Sequence, residues 1–505
     1  MAVYSAVNGD DERHVGRPTS ANSSRKSNRR HPSRGKNEAG SVGQASWISS
    51  VINLINTILG AGVLAMPLAL SHMGILLGVV VIIWSGLTAG FGLYLQIRCV
   101  RYLERGSASF FALSQMTYPN AAVIFDAAIA IKCFGVGVSY LIIIGDLMPG
   151  VVRGFSEDAG GVGFLVDRHF WVTGFMLIVI PLSFLRRLDS LKYTSVVALI
   201  SIGYLVILVV FHFFKGDTMQ DRGPLRIIRW GGAVPTLSSF PVIVFAYTCH
   251  QNMFSILNEI SNNSHFRTSG VVVASTGTSC LVYLLVAITG YLSFGNAVLG
   301  NIVGMYTPSV ASTIGKAAIV VLVMFSYPLQ VHPCRASVDA VLKWRPTKRS
   351  ESPSASPSGV APLLAGKSGH TARGDGMGET RFAAITTAII VLSYVVAMTV
   401  SSLEKVLAYV GSTGSTSISF ILPGLFYYKI SSPDSPHHQK LMKEDDDELD
   451  ELDGDEDEGL LSGRSLKRGN WQRNLLRRLS LALAIYGVVV MVTCLITNTF
   501  FIVGH

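Results

Sequence analysis

The residues of this sequence that could do chemistry are backbone groups and polar side chains inside long apolar stretches. Gly60, Ala61 and Gly62 interrupt one such stretch near its middle, and Pro67 follows. Each glycine lowers helix stability by about 1 kcal/mol, so we expect the helix to break there. The N–H groups freed at a break inside a membrane bind a carboxylate well when they line a cavity. The alternative interpretation is a packing surface of small residues.

A second interruption lies in the stretch SSFPVIVFAYTCHQNMFSILNEI. Residues 248–252 (TCHQN) stand there at positions that a lipid-facing helix would fill with apolar side chains, and Pro241 loosens the first turn. Polar side chains at membrane depth are costly and tend to mark a pathway or a binding site. The two interruptions fall in the first and sixth apolar stretches. That spacing is typical of a secondary transporter built from two inverted repeats of five helices.

Motifs for other kinds of chemistry are missing from the sequence. It has no Walker A motif, and its six cysteines have no CxxC spacing, which argues against a nucleotide-binding loop, a zinc site and a disulfide framework. We therefore expect a protein that is not an enzyme, binds no nucleic acid and needs no cofactor beyond a coupling ion.

The elements that position these residues follow from composition. Of 505 residues, 49% are hydrophobic and 14% charged, whereas a soluble domain carries about 25% charged residues. Crossing a bilayer as a helix takes about 20 apolar residues. The sequence predicts an all-α integral membrane protein with about 11 transmembrane helices, near residues 47–70, 74–97, 121–149, 169–185, 191–213, 235–257, 268–293, 310–332, 382–402, 405–428 and 477–501. The tenth is unusually polar (YVGSTGSTSISF), so we expect it to face protein rather than lipid.

Three polar segments lie outside these spans: the basic tail 1–46, the Pro/Ser/Gly-rich loop 344–380 and the acidic loop 431–474. We expect all three to be disordered and cytosolic. With the N-terminus in the cytosol, the cytosolic segments hold 32 Lys and Arg residues against 7 on the opposite side. The positive-inside rule then predicts a cytosolic N-terminus and, with an odd number of spans, a luminal or extracellular C-terminus. The run EDDDELDELDGDEDE reads as a solvated tether, or alternatively as a docking or phosphorylation site.

Four segments in this order, NTILGAGVLAMP, CFGVGVSYLIIIGDLMP, FAYTCHQNMFSILNE and YPLQVHPCRASVD, carry a family resemblance. They resemble the amino acid/auxin permease family, and within it the sodium-coupled neutral amino acid transporters of solute carrier family 38 and the vacuolar amino acid transporters of fungi. The resemblance implies a LeuT-like fold. Its two inverted five-helix repeats would occupy residues 47–213 and 235–428, with an eleventh helix at 477–501.

The resemblance also implies where an amino acid would bind. The substrate carboxylate would meet the unwound backbone of the first span, here Gly60, Ala61 and Gly62. The substrate amino group would meet carbonyls of the sixth span near Phe245, Ala246 and Tyr247. A pocket for the substrate side chain would draw on Tyr247, Thr248 and the third span, where Tyr140 is a candidate that could equally be a packing aromatic.

A coupling ion would bind between the first and eighth spans. The matching residues are Asn56, the carbonyl of Leu59 and Ser326, where Na⁺ would find part of its shell of oxygens. Alternatively, Asn56 caps the helix break and Ser326 satisfies its own backbone. If protons drive transport, His250 beside the second break is a candidate shuttle. It could equally be a structural histidine, and Lys132 is another ionisable group within a span.

Three functional hypotheses follow. The first is a proton-coupled amino acid transporter of the vacuolar membrane, moving amino acids toward the cytosol. The second is a plasma-membrane importer coupled to protons or to sodium. The third, from another class, is an amino acid sensor that transports little. In each case the expected partners are the amino acid and the lipid bilayer, and those of the cytosolic tail are unknown.

Overall fold

A computed structural model describes residues 45–156, 158–185, 194–220, 222–261, 263–343, 377–439, 441 and 459–501. Most of the three predicted polar segments, namely 1–44, 344–376 and 442–458, lies outside the described residues.

The described chain folds into sixteen α-helices, with short 3₁₀ turns and π-helical segments between some of them. The helices are α1 (Trp47–Ile58), α2 (Gly62–Met73), α3 (Ile75–Val100), α4 (Phe110–Thr117), α5 (Ala122–Phe155), α6 (Arg168–Ser183), α7 (Thr194–Lys215), α8 (Ala233–Ala246), α9 (His250–Glu259), α10 (His265–Phe294), α11 (Ile302–Met305), α12 (Val310–Lys343), α13 (Glu379–Thr399), α14 (Leu403–Val410), α15 (Leu422–Ile430) and α16 (Gly459–Ile496).

Each of the eleven predicted spans coincides with one or more of these helices. Eight described helical segments are long and apolar enough to cross a membrane, and the bent pair of α1 and α2 makes a ninth span. Helix α6 is apolar but has only 16 residues. The tenth span is divided into α14, two π-helical segments and α15. The prediction of an all-α membrane protein is therefore confirmed.

The helices that carry the two interruptions lie at the centre of the bundle. Helix α2 packs on both α8 and α10, and α1 packs on α10. Behind them, α5 and α12 form the most extensive helix pair. At one point of that pair, Gly137 leaves space for the buried ring of Tyr327. The interrupted spans therefore pack on each other and on the continuous helix α10, so much of their irregular backbone lies against protein.

The tenth span owes its irregularity to its polar residues. Between α14 and α15 it forms π-helical segments at Gly411–Ser415 and Ser417–Ile421. Ser412, Ser415, Thr416 and Ser419 are completely buried there, which agrees with the expectation that this span faces protein. Two of these hydroxyls donate to carbonyls of the same span: Ser412 to Ala408 O and Thr416 to Gly411 O, each at 2.7 Å. π-Helical turns cost stability and are frequent at functional sites.

Gly414 in this span supplies the first testable prediction. A Cβ there would lie 2.7 Å from Cβ of Lys132, 2.8 Å from its backbone N and 2.9 Å from the carbonyl O of Ala128, so Gly414→Ala forces the tenth span away from α5. We expect the free energy of unfolding to fall by about 1–3 kcal/mol. The measurement is the melting temperature of the detergent-solubilised protein, which should be lower. The control is Gly203→Ala on α7, where a Cβ meets nothing within 4 Å. Equal melting temperatures for the two variants would contradict this packing.

Candidate functional site

The first break separates α1 from α2 by three residues and bends the span by 56°. Leu59 ends α1 with its N–H on Ile55 O, and Gly60 donates to Ile58 O at 2.9 Å. In contrast, the N–H groups of Ala61 and Gly62 have no acceptor among the described residues. They stand at the start of α2, where a helix carries roughly half a positive charge. The first break therefore offers donors for an anionic group.

The second break separates α8, which ends at Ala246, from α9, which begins at His250. Thr248 lies between them, and its hydroxyl donates to Val244 O at 2.8 Å and accepts from Ser419 Oγ at 3.2 Å. The carbonyl end of α8 points to the break and carries partial negative charge. The second break therefore offers acceptors for a cationic group.

The two breaks are in direct contact. A Cβ on Gly62 would lie 2.5 Å from Cβ of Ala246 and 2.8 Å from its Cα, so only glycine lets the start of α2 reach the end of α8. A Cβ on Gly60, in contrast, would meet nothing within 4 Å. Gly62 is therefore needed for close packing of the two spans, whereas Gly60 borders open space.

That open space is a cavity of about 1020 Å³. The candidate residues that line it are Asn56, Leu59, Gly60, Ala61, Gly62, Tyr140, Phe245, Ala246, Thr248 and Ser326. The structure thus brings together both breaks and the proposed ion site. Of the predicted site residues, Tyr247 and His250 do not line the cavity.

Tyr247 and His250 lie behind the cavity wall, against α3. The ring of Tyr247 would be 3.2 Å from a Cβ on Gly86, and its hydroxyl is buried without a hydrogen-bond partner in the described part of the chain. His250 is completely buried, with Nε2 3.1 Å from Ala89 O. The side chain of Tyr247 therefore cannot contribute to a substrate pocket in this conformation, and His250 has no direct contact with the cavity.

The cavity extends from the breaks toward only one side of the bundle. We call the side where α1 begins and α9 ends the open side, and the side where α2 ends and α8 begins the closed side. Asn53 of α1 and Glu259 of α9 line the cavity near the open side, and both are exposed. On the closed side every residue of α2 except His72 is buried, and His72 Nδ1 lies 2.6 Å from Ser239 Oγ of α8. The site is therefore accessible from the open side.

The three residues of the predicted ion site line the same cavity. Asn56 Oδ1 is buried and has no hydrogen-bond partner among the described residues. A buried oxygen of this kind is available to bind a ligand or an ion. Ser326 Oγ donates to Leu322 O at 2.7 Å, which agrees with the alternative that it satisfies its own backbone. That bond leaves its lone pairs free to bind a cation. In the described chain, no group of three or more His, Cys, Asp or Glu residues could hold a metal ion.

Other polar groups of the cavity were not assigned from the sequence. Gln251 and Gln330 line it, and the amide oxygen of each is buried without a partner in the part of the chain that the structure describes. Lys132 of α5, recognised in the sequence only as an ionisable residue within a span, also lines the cavity. The polar run 248–252 indicates a site near Gln251. The sequence around Gln330 on α12 has no comparable cluster of polar residues, so nothing nearby indicates that its side chain lines a cavity.

Comparisons with known proteins identify relatives of this chain. The family described as transmembrane amino acid transporter protein matches residues 43–446. Vacuolar amino acid transporter 5 of Schizosaccharomyces pombe is 42% identical over 462 residues, covering 90% of this chain and 95% of that protein. Vacuolar amino acid transporter 6 of Saccharomyces cerevisiae is 40% identical over 408 residues, covering 76% of this chain and 90% of that protein.

A solved structure extends the comparison to the fold. MhsT in complex with L-phenylalanine matches with a TM-score of 0.54 at 11% identity, covering 90% of this chain and 100% of that chain. The likeness confirms the LeuT-like fold expected from the sequence.

Gly60 provides a direct test of the cavity. We expect Gly60→Val to fold normally but to weaken amino acid binding more than about tenfold, since its side chain would fill the space at the first break. Binding is measured as the rise in melting temperature produced by each of the common amino acids. Gly174→Val on α6, where a Cβ also meets nothing within 4 Å, is the control. An undiminished rise for Gly60→Val would place the substrate elsewhere.

Proposed function

We propose, since the chain belongs to the transmembrane amino acid transporter family, that it is a secondary active transporter that moves amino acids across the vacuolar membrane toward the cytosol. The observation that carries this proposal is the pairing of opposite helix ends in one cavity. Free N–H groups at the start of α2 suit a carboxylate, and the carbonyl end of α8 suits an ammonium group. A zwitterionic α-amino acid carries both groups on one carbon atom.

The vacuolar membrane is supported by relatives that are named as vacuolar transporters. The excess of basic residues in the expected cytosolic segments supports a cytosolic N-terminus and a luminal C-terminus. In that orientation the open side faces the cytosol, because α1 begins there. The conformation would then be the one that releases substrate to the cytosol.

We further propose that protons drive this movement. A vacuolar lumen is acidic, so protons and amino acids would leave it together. Each pH unit supplies about 1.4 kcal/mol per proton, which supports a tenfold concentration ratio of amino acid. A plasma-membrane importer would use the same geometry, because the lumen corresponds to the outside of the cell.

The coupling proposal predicts the outcome of an efflux experiment. In liposomes loaded with a panel of amino acids, we expect an acidic interior to accelerate efflux and to drive it against a concentration ratio of about ten per pH unit. Protein-free liposomes and liposomes without a pH gradient are the controls. Efflux driven by a sodium gradient instead would favour sodium coupling. Amino acid binding without flux under either gradient would favour the sensor hypothesis.

The proposed cation site is tested by Ser326→Ala. If transport depends instead on Na⁺, and Asn56, the carbonyl of Leu59 and Ser326 bind it, loss of the hydroxyl should raise the Na⁺ concentration for half-maximal transport about tenfold. Substrate preference should be unchanged. Ser293→Ala is the control, because Ser293 likewise donates within its own helix, to Thr289 O at 2.9 Å, and does not line the cavity. An unchanged cation response in Ser326→Ala would leave this serine a purely structural role.

A further inference from the structure

We propose that Tyr283 is a positioning residue for the amino group of the substrate, acting through the carbonyls at both breaks. This inference rests on the proposed transport function. Tyr283 lies in α10, is completely buried and does not line the cavity. No polar cluster in the sequence marks it, because it stands in the apolar run CLVYLLVA.

The hydroxyl of Tyr283 lies between two broken spans. Its oxygen is 2.6 Å from Ile58 O and 2.8 Å from Ala246 O. Ile58 is the last residue of α1 and Ala246 is the last residue of α8. Two carbonyl helix ends, each with partial negative charge, therefore converge on one buried hydroxyl. Both residues also line the cavity.

A phenol has one proton, so it can donate to only one of these carbonyls at a time. Ile58 O already accepts from Gly60 N at 2.9 Å, whereas the hydrogen-bond donor to Ala246 O is the Tyr283 hydroxyl. Without substrate, the proton is therefore needed most at Ala246 O. The 2.6 Å contact with Ile58 O is also of hydrogen-bond length, so the two carbonyls compete for this one proton.

An ammonium group that enters the cavity changes this balance. It can donate to Ala246 O from the cavity, and the Tyr283 hydroxyl can then rotate its proton toward Ile58 O. The same event satisfies the carbonyl end of α8 and strengthens the attachment of α1 to α10. A ligand without an amino group cannot release the hydroxyl in this way. Binding of the amino group at the second break would thereby strengthen the hydrogen bond from Tyr283 to Ile58 O at the first break.

The orientation of the Tyr283 ring is fixed by its neighbours. It packs edge-to-face against the ring of Tyr247, with 5.1 Å between the ring centroids. Both rings are completely buried. Removing the hydroxyl alone should therefore keep the packing and lose the two polar contacts, which makes Tyr283→Phe an informative substitution.

The experiment compares an amino acid that the protein transports with the carboxylic acid that lacks only its amino group. In Tyr283→Phe the carbonyls of Ile58 and Ala246 lose the hydroxyl that holds them in place, so their like dipoles should move apart and Ala246 O should lose its position for the amino group. We therefore expect the KM of the amino acid to rise about tenfold with a maximal rate within about twofold. The inhibition constant of the des-amino acid should not change. Tyr327→Phe is the control, because Tyr327 is also completely buried and its hydroxyl bonds to Ser393, away from both breaks.

Two results would overturn the proposal. One is an equal loss of affinity for both ligands, which would mean a general structural role. The other is an unchanged KM. The ratio of the KM of the amino acid to the inhibition constant of the des-amino acid does not depend on the amount of folded protein. It can therefore be measured even if only a fraction of the variant folds. If the unsubstituted protein neither binds nor transports amino acids, the proposed function itself fails.

Discussion

The structure depends on one constraint: a backbone N–H or C=O group inside a membrane must find a partner, since lipid offers none. Two interrupted spans leave such groups at membrane depth, and the fold brings the interruptions together. Gly62 packs directly on Ala246, so the free ends of four half-helices share one location. Unpaired backbone groups would destabilise a single span in lipid. Where the two interruptions meet, the same groups form a polar site within the protein. The Tyr283 hydroxyl lies within hydrogen-bond distance of two carbonyls there, and other groups at the breaks line the cavity.

The sequence predicts most of this architecture because the signals are local. A span needs a run of about 20 apolar residues, and a break needs glycines or polar residues inside the run. Both can be read from neighbouring positions, so all eleven spans coincide with described helices and the two breaks fall at Leu59–Ala61 and Tyr247–Cys249. The polar residues of the tenth span likewise predict that it faces protein. They do not predict its π-helical form.

The direction of side chains within the site is not a local property. Tyr247 and His250 flank the second break as closely as Thr248 does, yet only Thr248 faces the cavity. An interruption changes the helical phase, so the usual spacing of faces no longer holds across it. Tyr283 is a further example, because its partner Ile58 is 225 positions away in the sequence. A tyrosine in an apolar span carries no sign of such a distant partner.

The same contacts define what must change for the site to open in the other direction. Alternating access requires the closed side to separate and the open side to close around a fixed site. On the closed side, the bond between His72 and Ser239 links α2 to α8, and Gly62 packs on Ala246 at the breaks themselves. On the open side, Asn252 of α9 already donates to Thr57 of α1 at 3.1 Å, so these two half-helices are linked across the mouth of the cavity. Each pair of half-helices is therefore held by a polar contact on its own side of the breaks and by the close packing of Gly62 on Ala246 between them.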